Sequence, residues 1–224
     1  MREKQVLPVV VVALTAALVA LVALWTLDRV GRGGTVTVIS SGPDKVMALA
    51  FSPDSSQLLS CGVDHFSLWA VSGRGVSKKR GIFGPGAIKQ TLLSCCWIPP
   101  IGEEGTAVAV MGAADGSLYK LDGRTVGEVF EKVHDSAAAA LYAYAPFEED
   151  GHCLASGGAD GVVKLFGAEL GEAKLEINLR QAKYNVFKWA VKSVCLNKDG
   201  RKVLVGTAGS EIYEFSATEE AVDM

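Results

Sequence analysis

The chain has 224 residues, 49% of them apolar, and a formal net charge of −3 at pH 7. It is long enough to bury one large core or two small ones, and too near neutral to supply the positive field that nonspecific nucleic-acid binding requires. Its five cysteines are odd in number and include no C-x-x-C pair, so they read as buried thiols in a reducing compartment, not a disulfide framework or a metal site.

The first element, residues 1–33, differs from everything after it. Between Leu7 and Leu27 the run LPVVVVALTAALVALVALWTL carries no charge, and its length matches the ~20 residues a helix needs to cross a bilayer. Arg2 and Lys4 precede it and Arg29 and Arg32 follow, so the flanking charges set no orientation. The expectation is an apolar N-terminal helix that spans or contacts a membrane through residues 7–27. Two other readings compete. A cleaved signal peptide is disfavoured by the length of the run and by the lack of an A-x-A site. In the other, ALWTLDR is the last strand of an earlier sheet unit and the chain start is mistaken.

Beyond residue 33 the chain repeats itself. Leu59–Trp69 reads LSCGVDHFSLW, Val110–Leu121 VMGAADGSLYKL, Ala155–Phe166 ASGGADGVVKLF and Leu204–Phe215 LVGTAGSEIYEF. Each copy has small residues, a turn, and an alternating run closed by an aromatic residue or leucine. An Asp-Gly pair between alternating runs signals a tight hairpin, because glycine takes the positive φ such a turn demands. The turns fall at Asp64, Asp115, Asp160 and Gly209, at intervals of 51, 45 and 49 residues. One hairpin per unit at that period is the pattern of propeller blades.

Ahead of each hairpin lies an inner-strand candidate: KVMALAFSPD, TLLSCCWIPP, AALYAYAPF and VKSVCLNKDG. Ahead of those come outer-strand candidates TVTVIS, an irregular KKRGIFG, GEVFEKV and KLEINL. The expected fold is all-β: about four β-propeller blades, forming an incomplete propeller behind the apolar N-terminal helix. The blades span about 35–72, 73–125, 126–170 and 171–219, with an acidic tail at 220–224. The G-G-A-D-G of Gly157–Gly161 precedes a strand run, not a helix, so it reads as a turn and not as a phosphate cradle.

These residues also carry a resemblance. FSPDSSQLLSCGVD followed by LW resembles the WD-repeat pattern, and KVHDS ahead of LASGGADGVVKLF matches its histidine and aspartate positions. CGVDHFSLWAVSG running into KKRGIFG, and VKSVCLNKDGRKVLVGTAGSEIYEF, resemble the echinoderm microtubule-associated-protein-like family. The resemblance covers about Thr35 to Ala217 and implies β-propeller blades, a cytoplasmic and cytoskeletal setting and tubulin or microtubules as protein partner. The terminal Trp-Asp pairs have become Trp69-Ala70, Leu121-Asp122, Phe166-Gly167 and Phe215-Ser216.

The WD-type pattern assigns His134, Ser156 and Asp160 to a buried structural hydrogen-bond network, in preference to a nucleophilic triad. Asp64 and Asp115 take the equivalent turns, Trp69 the end of its strand, and Phe166 leaves the network without its last donor. His65 and His152, isolated beside turns, are expected to be solvated. No cofactor, metal or catalytic residue is expected. Between Ala173 and Lys202 eight basic residues face two acids, and Arg74, Lys78, Lys79 and Arg80 form a second cluster. The candidate partner-binding residues are Lys78, Lys79, Arg80, Lys183, Lys188 and Lys192, as a patch that steers acidic partners. The expected function is a non-catalytic interaction protein associated with microtubules, with no nucleic-acid partner. The alternative is a membrane-anchored propeller scaffold for a non-tubulin partner. Self-association to close the arc is a further expectation.

Overall fold

The computed structural model of the chain describes residues 11–12, 37–38, 45–72, 75–101, 105–145, 151–167, 169–181, 188–197 and 200–217. The chain divides into two units, residues 1–46 and 47–224.

In the first unit β1 (Val11–Val12) pairs in parallel with β2 (Thr37–Val38). This corrects two expectations. Val11 and Val12 are extended and not helical, as β-branched residues favour; the rest of the expected 7–27 helix lies outside the described residues. Thr37–Val38, from the presumed outer strand TVTVIS, pairs with β1; the rest of that run lies outside the described residues. Among the described residues no helix is long and apolar enough to cross a membrane.

Four antiparallel sheets follow. Blade 1 is β3 (Val46–Phe51), β4 (Gln57–Gly62), β5 (His65–Ser72) and β6 (Gly75–Arg80). Blade 2 is β7 (Leu92–Ile98), β8 (Val108–Ala113), β9 (Leu118–Asp122) and β10 (Thr125–Phe130). Blade 3 is β11 (Ala138–Ala143), β12 (Leu154–Gly158), β13 (Val162–Phe166) and β14 (Ala173–Asn178). Among the described residues blade 4 has three strands, β15 (Val191–Leu196), β16 (Lys202–Thr207) and β17 (Ile212–Ser216). In every sheet the strands lie side by side in chain order.

The sequence units and the sheets are offset by one strand. β6, β10 and β14 each open the next unit along the chain, yet pair with β5, β9 and β13 of the sheet before. The irregular KKRGIFG splits accordingly. Its KKR closes β6, and Ile82 makes an isolated parallel bridge to Thr125 of blade 2.

The core lies between neighbouring sheets. Leu59, Cys61, Phe66 and Leu68 of blade 1 pack against Leu92, Cys95, Met111 and Tyr119 of blade 2. On the opposite face of blade 2, Cys96, Val110 and Leu118 meet Leu154 and Phe166 of blade 3. Ala155, Val163 and Leu165 of blade 3 then meet Val194, Val203 and Val205 of blade 4. Successive strand residues point to opposite faces, so adjacent Cys95 and Cys96 serve different interfaces. Each fully buried leucine or valine contributes about 1.5–3 kcal/mol of transfer free energy, and only stacking collects it.

Close stacking sets local requirements. A Cβ on Gly157 would lie 2.3 Å from Val191 Cγ1, so the inner strand of blade 4 can approach only bare backbone there. The inner strands of blades 2, 3 and 4 each carry a register shift near their start, at Leu92/Ser94, Ala138/Ala140 and Val191/Ser193. Such bulges raise local twist.

Candidate functional site: the turn network and the loop face

The turns between the second and third strands of each blade position most of the polar residues singled out above. In blades 2 to 4 the loop has one construction. Ala113 N donates to Ser117 O at 2.9 Å, and Gly116 N donates to Ala113 O at 3.2 Å. The residue at the left-handed position is Gly116 (φ 91°), Gly161 (φ 82°) or Ser210 (φ 63°). Blade 1 has a shorter turn, closed by the pair Gly62 and His65, and there Asp64 itself takes the left-handed position with φ 56°. Asp64 therefore stands in the same turn as Asp115 and Asp160 but does a different job.

Asp115 and Asp160 use their side chains on the turn. Asp115 Oδ1 accepts from Ser117 N and Asp160 Oδ1 from Val162 N, each at 3.0 Å, which closes an Asx-type turn. Asp160 Oδ2 also accepts from Asp135 N at 2.9 Å and meets His134 Nδ1 at 3.3 Å. His134 Nε2 lies 2.8 Å from Ser156 Oγ. With Nδ1–H donating to Asp160 and Nε2 accepting from the serine hydroxyl, each of these contacts joins a donor to an acceptor. Burial holds the His134 imidazole below its usual pKa, against the pull of the Asp160 carboxylate. The constellation has the residue types of a nucleophilic triad, yet Ser156 is 0% and His134 1% exposed. No electrophile reaches that hydroxyl, so the arrangement ties turn to strand.

In blade 1, Trp69 Nε1 donates to Ser60 Oγ at 2.8 Å, and Ser60 Oγ donates to Ser67 O at 3.4 Å. The pairings of Ser60 with Ser67 and of Ser156 with Lys164 align the two blades, so Phe166 occupies the place of Trp69.

Blade 2 contains a residue the sequence reading missed. Gln90, just ahead of the inner strand, accepts from Asp115 N through Oε1 at 3.0 Å and donates from Nε2 to Tyr119 OH at 2.8 Å. Tyr119 OH in turn donates to Ile88 O at 3.0 Å. The available signal was a polar residue before an inner strand whose blade has a turn aspartate, as His134 has in blade 3.

The other two histidines are corrected. His65 is only 4% exposed, with Nδ1 2.9 Å from Val63 O and with Nε2 unpartnered among the described residues. It opens a central strand, where neighbours cover it. His152 is half-buried; Nδ1 bonds with Tyr144 OH, and Nε2 lies 3.2 Å from Ala217 O.

The candidate cations separate as well. Lys79 and Arg80 are exposed on β6, while the Lys78 ammonium sits 5.0 Å over the Trp69 ring. Lys188 and Lys192 are exposed, and Lys183 lies outside the described residues. Lys202 pairs with Glu214 at 2.7 Å, an exposed contact worth little by itself. Cys61, Cys95, Cys96 and Cys153 are buried. A hydrogen bond with Cys61, then burial, raises the Cys95 pKa, and burial pushes the Cys153 thiol up to about 11. These are poor nucleophiles. Among the described residues no three His, Cys, Asp or Glu side chains are placed to hold a metal ion.

Comparison with known proteins places this geometry. The WD40 model (WD domain, G-beta repeat) matches residues 34–66 and 132–166, and the second stretch holds His134, Ser156, Asp160 and Phe166. The chain is 27% identical over 191 residues to the ciliary WD repeat-containing protein ctxp80 of Euplotoides octocarinatus, covering 84% of this chain and 24% of that protein. It is 30% identical over 129 residues to mouse echinoderm microtubule-associated protein-like 2, covering 56% of this chain and 18% of that protein. The chain thus spans a quarter or less of the length of these curated relatives. Among solved structures, the WD40 β-propeller domain of Doa1 aligns with a TM-score of 0.56 at 17% identity, over 80% of this chain and 53% of that one. The chain carries WD40 repeats at residues 34–66 and 132–166, and its described residues from 46 onward form an all-β, propeller-like succession of four antiparallel sheets.

Proposed function

We propose that this chain is a non-catalytic protein-interaction scaffold that associates with microtubules through its blade edges and loop faces, in a cytoplasmic and cytoskeletal setting. The observation that carries this reading is the 30% identity, over more than half of the chain, to mouse echinoderm microtubule-associated protein-like 2. Likeness to a ciliary WD-repeat protein over 84% of the chain points to the same setting. The polar groups agree with a scaffold. His134, Ser156 and Asp160 spend their hydrogen bonds inside blade 3, as Gln90 and Asp115 do inside blade 2. The exposed cations Lys79, Arg80, Lys188 and Lys192 supply charge for an acidic partner surface. Co-sedimentation of the full chain with polymerised microtubules tests the reading. Saturable pelleting that weakens with added salt is expected; a chain that stays in the supernatant at every tubulin concentration overturns it.

A further inference from the structure

Lys188 and Trp189, just ahead of β15, lie against two turns. A Cβ built on Gly161, in the turn of blade 3, would lie 2.6 Å from Trp189 Cδ1, and one on Gly209, in the turn of blade 4, 3.5 Å from Lys188 Cβ. Gly161 has φ +82°, so backbone conformation and the indole both reserve that position for glycine. Leu179 N donates to Gly161 O at 2.9 Å, which brings the neighbouring Arg180 to the same turn. Its guanidinium lies 5.3 Å from the centroid of the Trp189 ring.

Blade 3 shows what this loop does elsewhere. Ala159 N bonds to Ala137 O, and Ala208 N to Ala190 O, so the two loops align and Trp189 stands where blade 3 has Ser136. Over Gly116 the blade 3 loop uses backbone, with His134 N donating to Gly116 O at 3.1 Å, and sends its imidazole inward. Over Gly161 the blade 4 loop lays down an indole that remains 36% exposed. A tryptophan with an arginine stacked on it at the surface has the composition of a binding hot spot. Packing on Gly161 and the Arg180 stack hold the ring in place, so little rotamer freedom is left to lose on binding. Arg180, Lys188 and Lys192 are all exposed. Glu211, the acid beside Gly209, already accepts from Tyr213 OH at 2.8 Å.

We propose that the loop face shared by blades 3 and 4 is a binding platform for an acidic peptide, with Trp189 as anchor and Arg180, Lys188 and Lys192 as its charges. This rests on the reading of the chain as a protein-interaction scaffold, and it commits to a peptide because the whole chain, at −3, lacks the field for a polyanionic duplex.

Fluorescence anisotropy of a labelled glutamate-rich peptide, titrated with the full chain, tests it. Saturable binding that weakens with salt is expected. Trp189→Ala and, independently, Arg180→Glu should each weaken it by about tenfold or more, while Arg124→Glu, exposed in the turn between β9 and β10 of blade 2, leaves it unchanged. Arg180 is exposed, so its variant keeps the test valid even where Trp189→Ala lowers stability. Equal affinity in Arg180→Glu and the parent chain overturns the platform, as does preferential displacement of the peptide by a single-stranded oligonucleotide. Microtubule pelleting, run in parallel, separates the two proposals. A parent chain that pellets but binds no peptide overturns the platform and leaves the microtubule reading intact. Trp189-dependent peptide binding without pelleting supports the platform and removes the microtubule reading.

Discussion

Blade 1 and blade 3 keep different halves of one hydrogen-bond network. In blade 3, His134 joins Ser156 to Asp160, while Phe166 stands where a tryptophan donor would complete the set. In blade 1 the tryptophan is present, Trp69 donating to Ser60, but the turn aspartate has moved into the left-handed position and bonds no strand amide among the described residues. The serine position shows the rule behind both. It is Ser60 and Ser156 where a partner survives, and Met111 and Val205, both fully buried, in blades 2 and 4. A buried hydroxyl is kept only with its partner; without one, an apolar side chain costs less.

Removing the partner in blade 3 should therefore have the largest effect. His134→Ala leaves the Ser156 hydroxyl and one Asp160 oxygen short of a bond and opens a cavity, a loss of about 2–4 kcal/mol. Chemical denaturation measures it; a loss below that of the blade 1 variant described next would break the comparison. Trp69→Phe makes blade 1 resemble blade 3 at that site. It removes one donor while keeping most of the apolar bulk, so a loss of about 1 kcal/mol is expected in the same experiment.

The third expectation is a pH dependence. Burial depresses the folded pKa of His134 below its usual 6.5, so near that pH the unfolded chain binds more protons than the folded one. The contribution is fully present above pH 6.5 and declines as pH falls through the interval down to the folded pKa. Thermal melts of the parent chain and of His134→Gln across this interval should diverge; parallel melts would mean that His134 takes up its proton equally in both states. The smallest effect is expected at the turn of blade 1. Asp64→Gly places glycine at a left-handed position and should change stability by no more than about 0.5 kcal/mol. Asp160→Gly removes three side-chain bonds and should cost about 2 kcal/mol. Equal losses from the two substitutions would show that the aspartates are equivalent after all.

The candidate site was legible in part. The turn positions of the aspartates at 115 and 160 could be read from spacing, because a turn and its Asx bond are made within a few residues; the role of His134, 26 residues from Asp160, came only with the likeness to the WD-repeat pattern. Asp64 lies in the turn its spacing indicated, but one residue fewer there moves its side chain into another backbone well, which the spacing did not show. Gln90 stayed hidden because its partners, Asp115 and Tyr119, lie 25 and 29 residues away. His65 read as solvated because its burial is imposed by neighbours that no local pattern specifies.

The sequence by itself determined the hairpins, their order and the two-sided apolar strands, since turn chemistry and a period of two are encoded residue by residue. Only the tertiary structure decided which sheet each outer strand joins, which face each of Cys95 and Cys96 serves, and that Trp189 lies outside on Gly161 while His134 turns inward. Those outcomes depend on which surfaces lose water when separate sheets stack, and that desolvation is shared among residues far apart along the chain.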